Sequence, residues 1–89
     1  MKVLLIGSGG REHSLVWKLH QSDLVSELTC LPGNAGISEI ANIVPIKAHE
    51  IENIIEHVSL KQYDFVIIGP EQPLAMGLVD KLKDIGVKV

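Results

Sequence analysis

A single cysteine, one each of Trp, Tyr and Phe, and fewer basic than acidic side chains, 8 against 11, mark this sequence by what it leaves out. One cysteine cannot build an internal disulfide framework. Cys30, set among strand-forming residues, reads as a small buried hydrophobe of a chain in a reducing compartment rather than as a nucleophile. The net charge of -3 offers no basic footprint, which argues against a nucleic-acid-binding module. No apolar run approaches the roughly 20 residues of a membrane span, and the stretch from Lys2 to the first glycine is too short for a signal peptide. A soluble, cytoplasmic protein is the expectation. No metal site is expected either: His13 and His20 lack a second donor group at ligand spacing, and His49 and His57 stand two helical turns apart. No linker, repeat or low-complexity segment interrupts the 89 residues, of which 46 % are hydrophobic, so one domain with a modest core is expected over 1–89.

What is present is concentrated in the first thirteen residues, MKVLLIGSGGREH. Val3 to Ile6 is an unbroken run of β-branched residues and leucine, the pattern of a strand buried on both faces of a parallel sheet. Gly7-Ser8-Gly9-Gly10 then allows a tight turn with few side chains to hold a ligand away, and Arg11 to Leu15 reads as the opening of a helix. Strand, glycine turn and helix N-terminus together make an anion site, because free N–H groups and the positive end of the helix dipole point into the crevice at the carboxyl end of the strand. Arg11 adds a cation beside them. The sequence argues against a dinucleotide fingerprint. Glu12 stands where its third glycine belongs, and no carboxylate ends the second strand at Leu28 to Pro32. A P-loop is excluded because no Gly-Lys-Ser/Thr follows the turn.

The rest of the chain alternates strands and helices and predicts an α/β fold, a doubly wound parallel sheet of about five strands. Leu15, Val16 and Leu19 give the first helix an inward face, and Trp17, off that stripe, is expected to pack under a neighbouring loop. Leu28 to Leu31 predicts a second strand. Pro32-Gly33-Asn34-Ala35-Gly36 belongs at the carboxyl edge of the sheet, where Asn34 either serves the turn alone or lines the crevice. Ser38 to Asn42 predicts a short helical turn, and Ile43 to Ile46 a third strand that Pro45 confines to an edge. Ala48 to Leu60 predicts a helix with Ile51, Ile54, Ile55 and Val58 inward. Phe65 to Ile68 is a second fully apolar run, expected with the first at the centre of the sheet. The loop after it, Gly69-Pro70-Glu71-Gln72-Pro73-Leu74, flanks the topological switch point together with the glycine turn. Glu71, between two prolines, is either an exposed loop acid or first-turn helix charge, or a carboxylate held ready for sugar hydroxyls or an amine. Leu74, Leu78, Leu82 and Ile85 carry a third helix inward, Gly86 ends it, and Val87 to Val89 starts a fifth strand. A chain that stops on such a strand is expected to be a piece of a longer protein.

Three motifs stand in order: GSGGREH at Gly7 to His13, LPGNAG at Leu31 to Gly36, and IIGPEQPLAMG at Ile67 to Gly77. Together they resemble the N-terminal domain of the phosphoribosylamine-glycine ligases, also called glycinamide ribonucleotide synthetases, of the ATP-grasp superfamily. The resemblance covers all 89 residues. It implies a Rossmann-like pre-ATP-grasp domain, with the ATP-grasp and C-terminal domains outside this chain. It further implies an ATP-dependent ligase of purine biosynthesis that joins glycine to 5-phosphoribosylamine through a glycyl phosphate, ATP being cleaved to ADP and phosphate. ATP and Mg2+ would be bound by the ATP-grasp domains, so no cofactor, no metal and no catalytic residue is expected here, and the fragment alone is expected to be inactive. Its share would be part of the phosphoribosylamine pocket. Gly9, Gly10, Arg11 and Glu12 would form the glycine-loop wall, Asn34 the PGN contact, and Glu71 the acid facing the sugar or the amine. Which of Arg11 and Glu12 meets ligand is open at this point. Its partners would be these small molecules and the rest of its own chain. The alternative is a phosphosugar- or nucleotide-binding module not attached to a ligase.

Overall fold

The computed structural model describes residues 1–47, 50–69 and 75–89. In chain order the elements are β1 (Lys2–Gly7), α1 (Gly10–His20), β2 (Glu27–Pro32), a short 3-10 helix (Ile37–Glu39), β3 (Asn42–Ile43), α2 (Ile51–Lys61), β4 (Phe65–Ile68) and α3 (Ala75–Asp84). The strands form one parallel sheet in the order β3-β2-β1-β4. The chain winds outward from β1 through β2 and β3, then crosses back to set β4 on the other side of β1. That is the doubly wound arrangement the alternation of elements predicts, and it opens the switch point between the loops after β1 and β4.

Alternate residues of a strand face opposite sides of the sheet, so β1 feeds two cores. Val3 and Leu5 join Val16 of α1, Leu28, Cys30 and Ile37 on one face. Leu4 and Ile6 join Leu31, Ile54, Val58, Val66, Leu78 and Leu82 on the other, under α2 and α3. Val3 to Ile6 are all buried, as their uninterrupted apolar pattern requires. The α2 stripe falls where its spacing puts it, with Ile54 and Val58 buried and Ile51 and Ile55 packed at the margin. Gly86 ends α3 at φ 84. Its N–H donates to the Lys83 carbonyl at 3.0 Å and the Val87 N–H to the Leu82 carbonyl at 3.1 Å, the paired bonds of a Schellman motif.

The sheet has four strands rather than five. Among the described residues, one backbone bond joins Lys88 to β4, the Val66 N–H donating to its carbonyl at 2.9 Å, and a ladder needs repeated bonds. β4 consequently lies at the edge of the sheet instead of its centre, and Phe65 is 36 % exposed. β3 is an edge strand, as Pro45 predicts, but shorter than Ile43 to Ile46. It pairs Asn42 with Thr29 and Ile43 with Cys30 and stops because Pro45 has no N–H and the Ile46 N–H turns back to the Val44 carbonyl at 2.8 Å. The short helical turn expected over Ser38 to Asn42 lies earlier, as the 3-10 helix Ile37–Glu39, and Asn42 already belongs to β3. α2 starts at Ile51, and just before it the Lys47 N–H donates to Glu50 Oε2 at 2.7 Å; Ala48 and His49, placed in that helix by the sequence, lie outside the described residues. Leu74 also lies outside them, and Ile85 is exposed rather than inward. In α1 the inward stripe is Glu12, Val16 and Leu19, so Leu15 falls beside it and is partly exposed. Trp17 is 55 % exposed and packs under no loop among the described residues.

At the amino end of the sheet, polar contacts near the surface tie the strand starts together. The Lys2 N–H donates to Asp64 Oδ2 at 2.7 Å, the Asp64 N–H returns a bond to the Lys2 carbonyl at 2.8 Å, and the Ser26 N–H donates to the Met1 carbonyl at 2.9 Å. Nearby, Tyr63 leads into β4 with its hydroxyl 2.7 Å from Nε2 of His57. No helix among the described residues is long and apolar enough to cross a membrane.

Candidate functional site

The register sets Gly7 of β1 opposite Pro32 of β2, and Ile6 opposite Ile68 of β4, so the three motif-bearing segments leave the sheet side by side. After Gly7 the chain turns and α1 opens on Gly9, whose extended backbone is capped by no side chain among the described residues. The first bond within the helix runs from the His13 N–H to the Gly9 carbonyl at 3.1 Å. The N–H groups of Gly9, Gly10 and Arg11 precede it at the helix end, where the dipole favours an anion.

The motifs lock into one another. Glu12 turns inward and is 1 % exposed. A Cβ at Gly7 or at Gly69 would overlap its carboxyl group, so the two glycines that end β1 and precede the loop after β4 leave the space this side chain fills. Gly69 is fixed there by its N–H bond to the Ile6 carbonyl at 2.9 Å. On the opposite flank the Gly33 N–H donates to the Gly7 carbonyl at 3.1 Å, and Asn34 Nδ2 donates to the Ser8 carbonyl at 2.7 Å. Asn34 Oδ1 accepts the Ile37 N–H at 3.0 Å. Gly36 lies against the His13 ring, with no room for a Cβ between them. Gly33 has φ 68 and follows a cis Leu31-Pro32 bond.

Cys30 sits beneath this assembly, buried, its Sγ donating to the Gly7 carbonyl at 3.3 Å. Burial, helped by the charge of Glu12, pushes its thiol up to about 11. It is therefore protonated at neutral pH and has no nucleophilic character. Between α1 and β4 runs an apolar groove of about 460 Å³, lined by Leu5, Leu15, Ile67 and Gly69 with Arg11 at its rim. Among the described residues no group of three or more His, Cys, Asp or Glu side chains is placed to hold a metal ion.

Residues 1–89 match the family model for the phosphoribosylglycinamide synthetase N domain. The chain belongs to that family. Similar proteins include the phosphoribosylamine-glycine ligases of Caldanaerobacter subterraneus subsp. tengcongensis, 48 % identical over 89 residues, and of Agrobacterium fabrum, 49 % identical over 87 residues. The alignments cover 100 % and 98 % of this chain and 21 % of each relative, so the chain spans about a fifth of the length of the curated relatives it matches.

In this synthetase N domain, Gly9, Gly10 and Arg11 stand at the mouth of the crevice, Arg11 with an exposed side chain. Glu12 stands behind them, between strands, and Asn34 braces the glycine turn from the next loop. The structure thus brings five of the six residues singled out in the sequence to one edge of the sheet. The sixth, Glu71, lies outside the described residues. Gly7, Ser8, His13, Gly36 and Gly69 share in the same assembly and were not singled out individually. The readable signal was the recurrence of glycine at strand ends that a parallel sheet sets beside one another.

Proposed function

We propose that the full-length protein carrying this domain is an ATP-dependent carbon-nitrogen ligase of purine biosynthesis, cytoplasmic, that joins glycine to 5-phosphoribosylamine. In this reading the glycine carboxylate takes the γ-phosphoryl group of ATP, releasing ADP, and the amine of phosphoribosylamine then attacks the glycyl phosphate and expels inorganic phosphate. The domain over 1–89 contributes part of the phosphoribosylamine pocket and none of the catalytic groups. The observation that carries this is the start of α1, which no side chain among the described residues caps, opening beside the loop after β2 and the carboxyl end of β4 at the switch point of a domain from this family. A phosphate or sugar oxygen there would meet the N–H groups of Gly9, Gly10 and Arg11 and the Arg11 guanidinium. Glu71 would face the sugar hydroxyls or the amine.

The described residues do not fit an ATP-Mg2+ site. They present neither a cluster of candidate metal-ligand side chains nor a P-loop lysine after the glycine turn. On the family resemblance, ATP and Mg2+ are assigned to domains beyond this chain, and the isolated domain is expected to be inactive. The test uses the full-length ligase. Arg11→Ala and Glu71→Ala are expected to lower kcat/KM for phosphoribosylamine by about tenfold or more while the ATP KM moves by less than about twofold. An equal loss for both substrates, or none for either, overturns the pocket assignment.

A further inference from the structure

We infer that Asn34 is a positioning residue of this pocket, aiming the glycine turn rather than holding ligand itself. The inference rests on the pocket reading above. Both ends of the Asn34 amide are already engaged within the protein, Nδ2 with the Ser8 carbonyl at 2.7 Å and Oδ1 with the Ile37 N–H at 3.0 Å. The two bonds have separate effects. The Ile37 bond secures the start of the 3-10 helix, whose Ile37 side chain is fully buried.

The Ser8 bond acts on the crevice. Ser8 carbonyl and Gly9 N–H belong to one planar peptide unit, in which they point in opposite directions. Holding the carbonyl toward Asn34 therefore turns the Gly9 N–H away from the loop after β2. The preceding peptide is held from the same loop, by the Gly33 N–H on the Gly7 carbonyl at 3.1 Å. Gly9 and Gly10 carry no side chains to restrict their own backbone, so a turn of this composition takes its direction from outside contacts. Asn34 also reaches the turn without filling the crevice. The amide serves here because its Nδ2 donates to one loop's carbonyl while its Oδ1 accepts an N–H on the other side.

Asn34→Asp separates the two effects, since a carboxylate still accepts the Ile37 N–H but cannot donate to Ser8 and repels its carbonyl. In the full-length ligase this variant is expected to raise the phosphoribosylamine KM about tenfold, the scale of one lost hydrogen bond with its neighbour left unpaired, while the glycine and ATP KM values move less than about twofold. The ligand-free protein is expected to show displaced amide resonances at Gly9 and Gly10. If the KM rises while those resonances stay in place, Asn34 contacts ligand directly and the positioning role is overturned. Displaced resonances with an unchanged KM overturn it as well. Should Asn34→Asp unfold the enzyme, Asn34→Ser, whose hydroxyl still accepts from Ile37 but is too short for Ser8, gives the same two readouts. Failure of the pocket reading is recognised separately, by Arg11→Ala and Glu71→Ala leaving the phosphoribosylamine KM untouched.

Discussion

The two ends of the sheet are held by different kinds of contact. At the amino end, Lys2 exchanges hydrogen bonds with Asp64 and Ser26 with Met1 near the surface, and Lys2 stands 3.9 Å from Glu27. Water competes for each of these groups, so each contact contributes little by itself. At the carboxyl end, a buried carboxyl group fills the space left by two glycines, a histidine ring lies on a third, and an asparagine links two loops. Here shape decides, and shape does not degrade gradually. One end keeps the strands together; the other locks the glycine turn, the loop after β2 and Gly69 at the end of β4 against one another, as a binding crevice requires.

The sharpest way to break this contrast is at Gly7. With φ 153 and Glu12 where a Cβ would go, Gly7→Ala is expected to lower the unfolding free energy by about 3 kcal/mol in urea denaturation. Much of that cost should vanish in a Glu12→Ala background, a coupling of about 1 kcal/mol or more in the double-mutant cycle. Additive losses would show that Glu12 is not the obstacle. Asp64→Ala at the amino end is expected to cost about 1 kcal/mol, and a loss as large as that of Gly7→Ala would erase the distinction between the ends. Gly77 supplies a control. It lies in α3 with nothing among the described residues within 4 Å of its missing Cβ, so Gly77→Ala is expected to stabilise by about 0.5 kcal/mol where the other glycine replacement destabilises.

The smallest effect is expected from His57 at the amino end. Burial, and then the charge of Lys61, lower its pKa from the usual 6.5. The unfolded chain therefore takes up a proton before the folded one does. Stability from this group is fully present above about pH 6.5 and is lost as pH falls below that value and through the lowered folded pKa. Urea midpoints at about pH 7.5 and about pH 5.5 should differ less in His57→Gln than in the parent chain, and an identical shift in both would assign the dependence to other groups.

Much of the fold was legible because the apolar periodicities are clean. The runs in β1 and β4 and the i, i+3, i+4, i+7 stripe of α2 each identify an element and its inward face. The misreadings share a physical cause: side-chain polarity was taken as a guide to depth. Leu15 ranked as core and Glu12 as wall, yet Glu12 is the buried one because Gly7 and Gly69 make a polar-capable space between strand ends. The four apolar residues of β4 suggested a central strand, but composition cannot tell how many neighbours a strand has, and Phe65 is left partly exposed. The loop alone left Asn34 either serving the turn or lining the crevice, and the family resemblance made it a ligand contact. That its amide is spent on Ser8 and Ile37 depends on how two segments 26 residues apart in sequence meet, which no local pattern contains.

The place of β1 between β2 and β4 also sets a timetable for synthesis. The bond from Lys2 to Asp64 joins positions 62 residues apart. At about 5–20 residues per second on a ribosome, the first strand waits roughly 3 to 12 s for the neighbour that closes its second side. During that interval β2 alone is available to pair with it, and the far edge of Val3 to Ile6 presents free N–H and carbonyl groups beside wholly apolar side chains. The most protected strand of the finished molecule is, while the chain is being made, its most adhesive one.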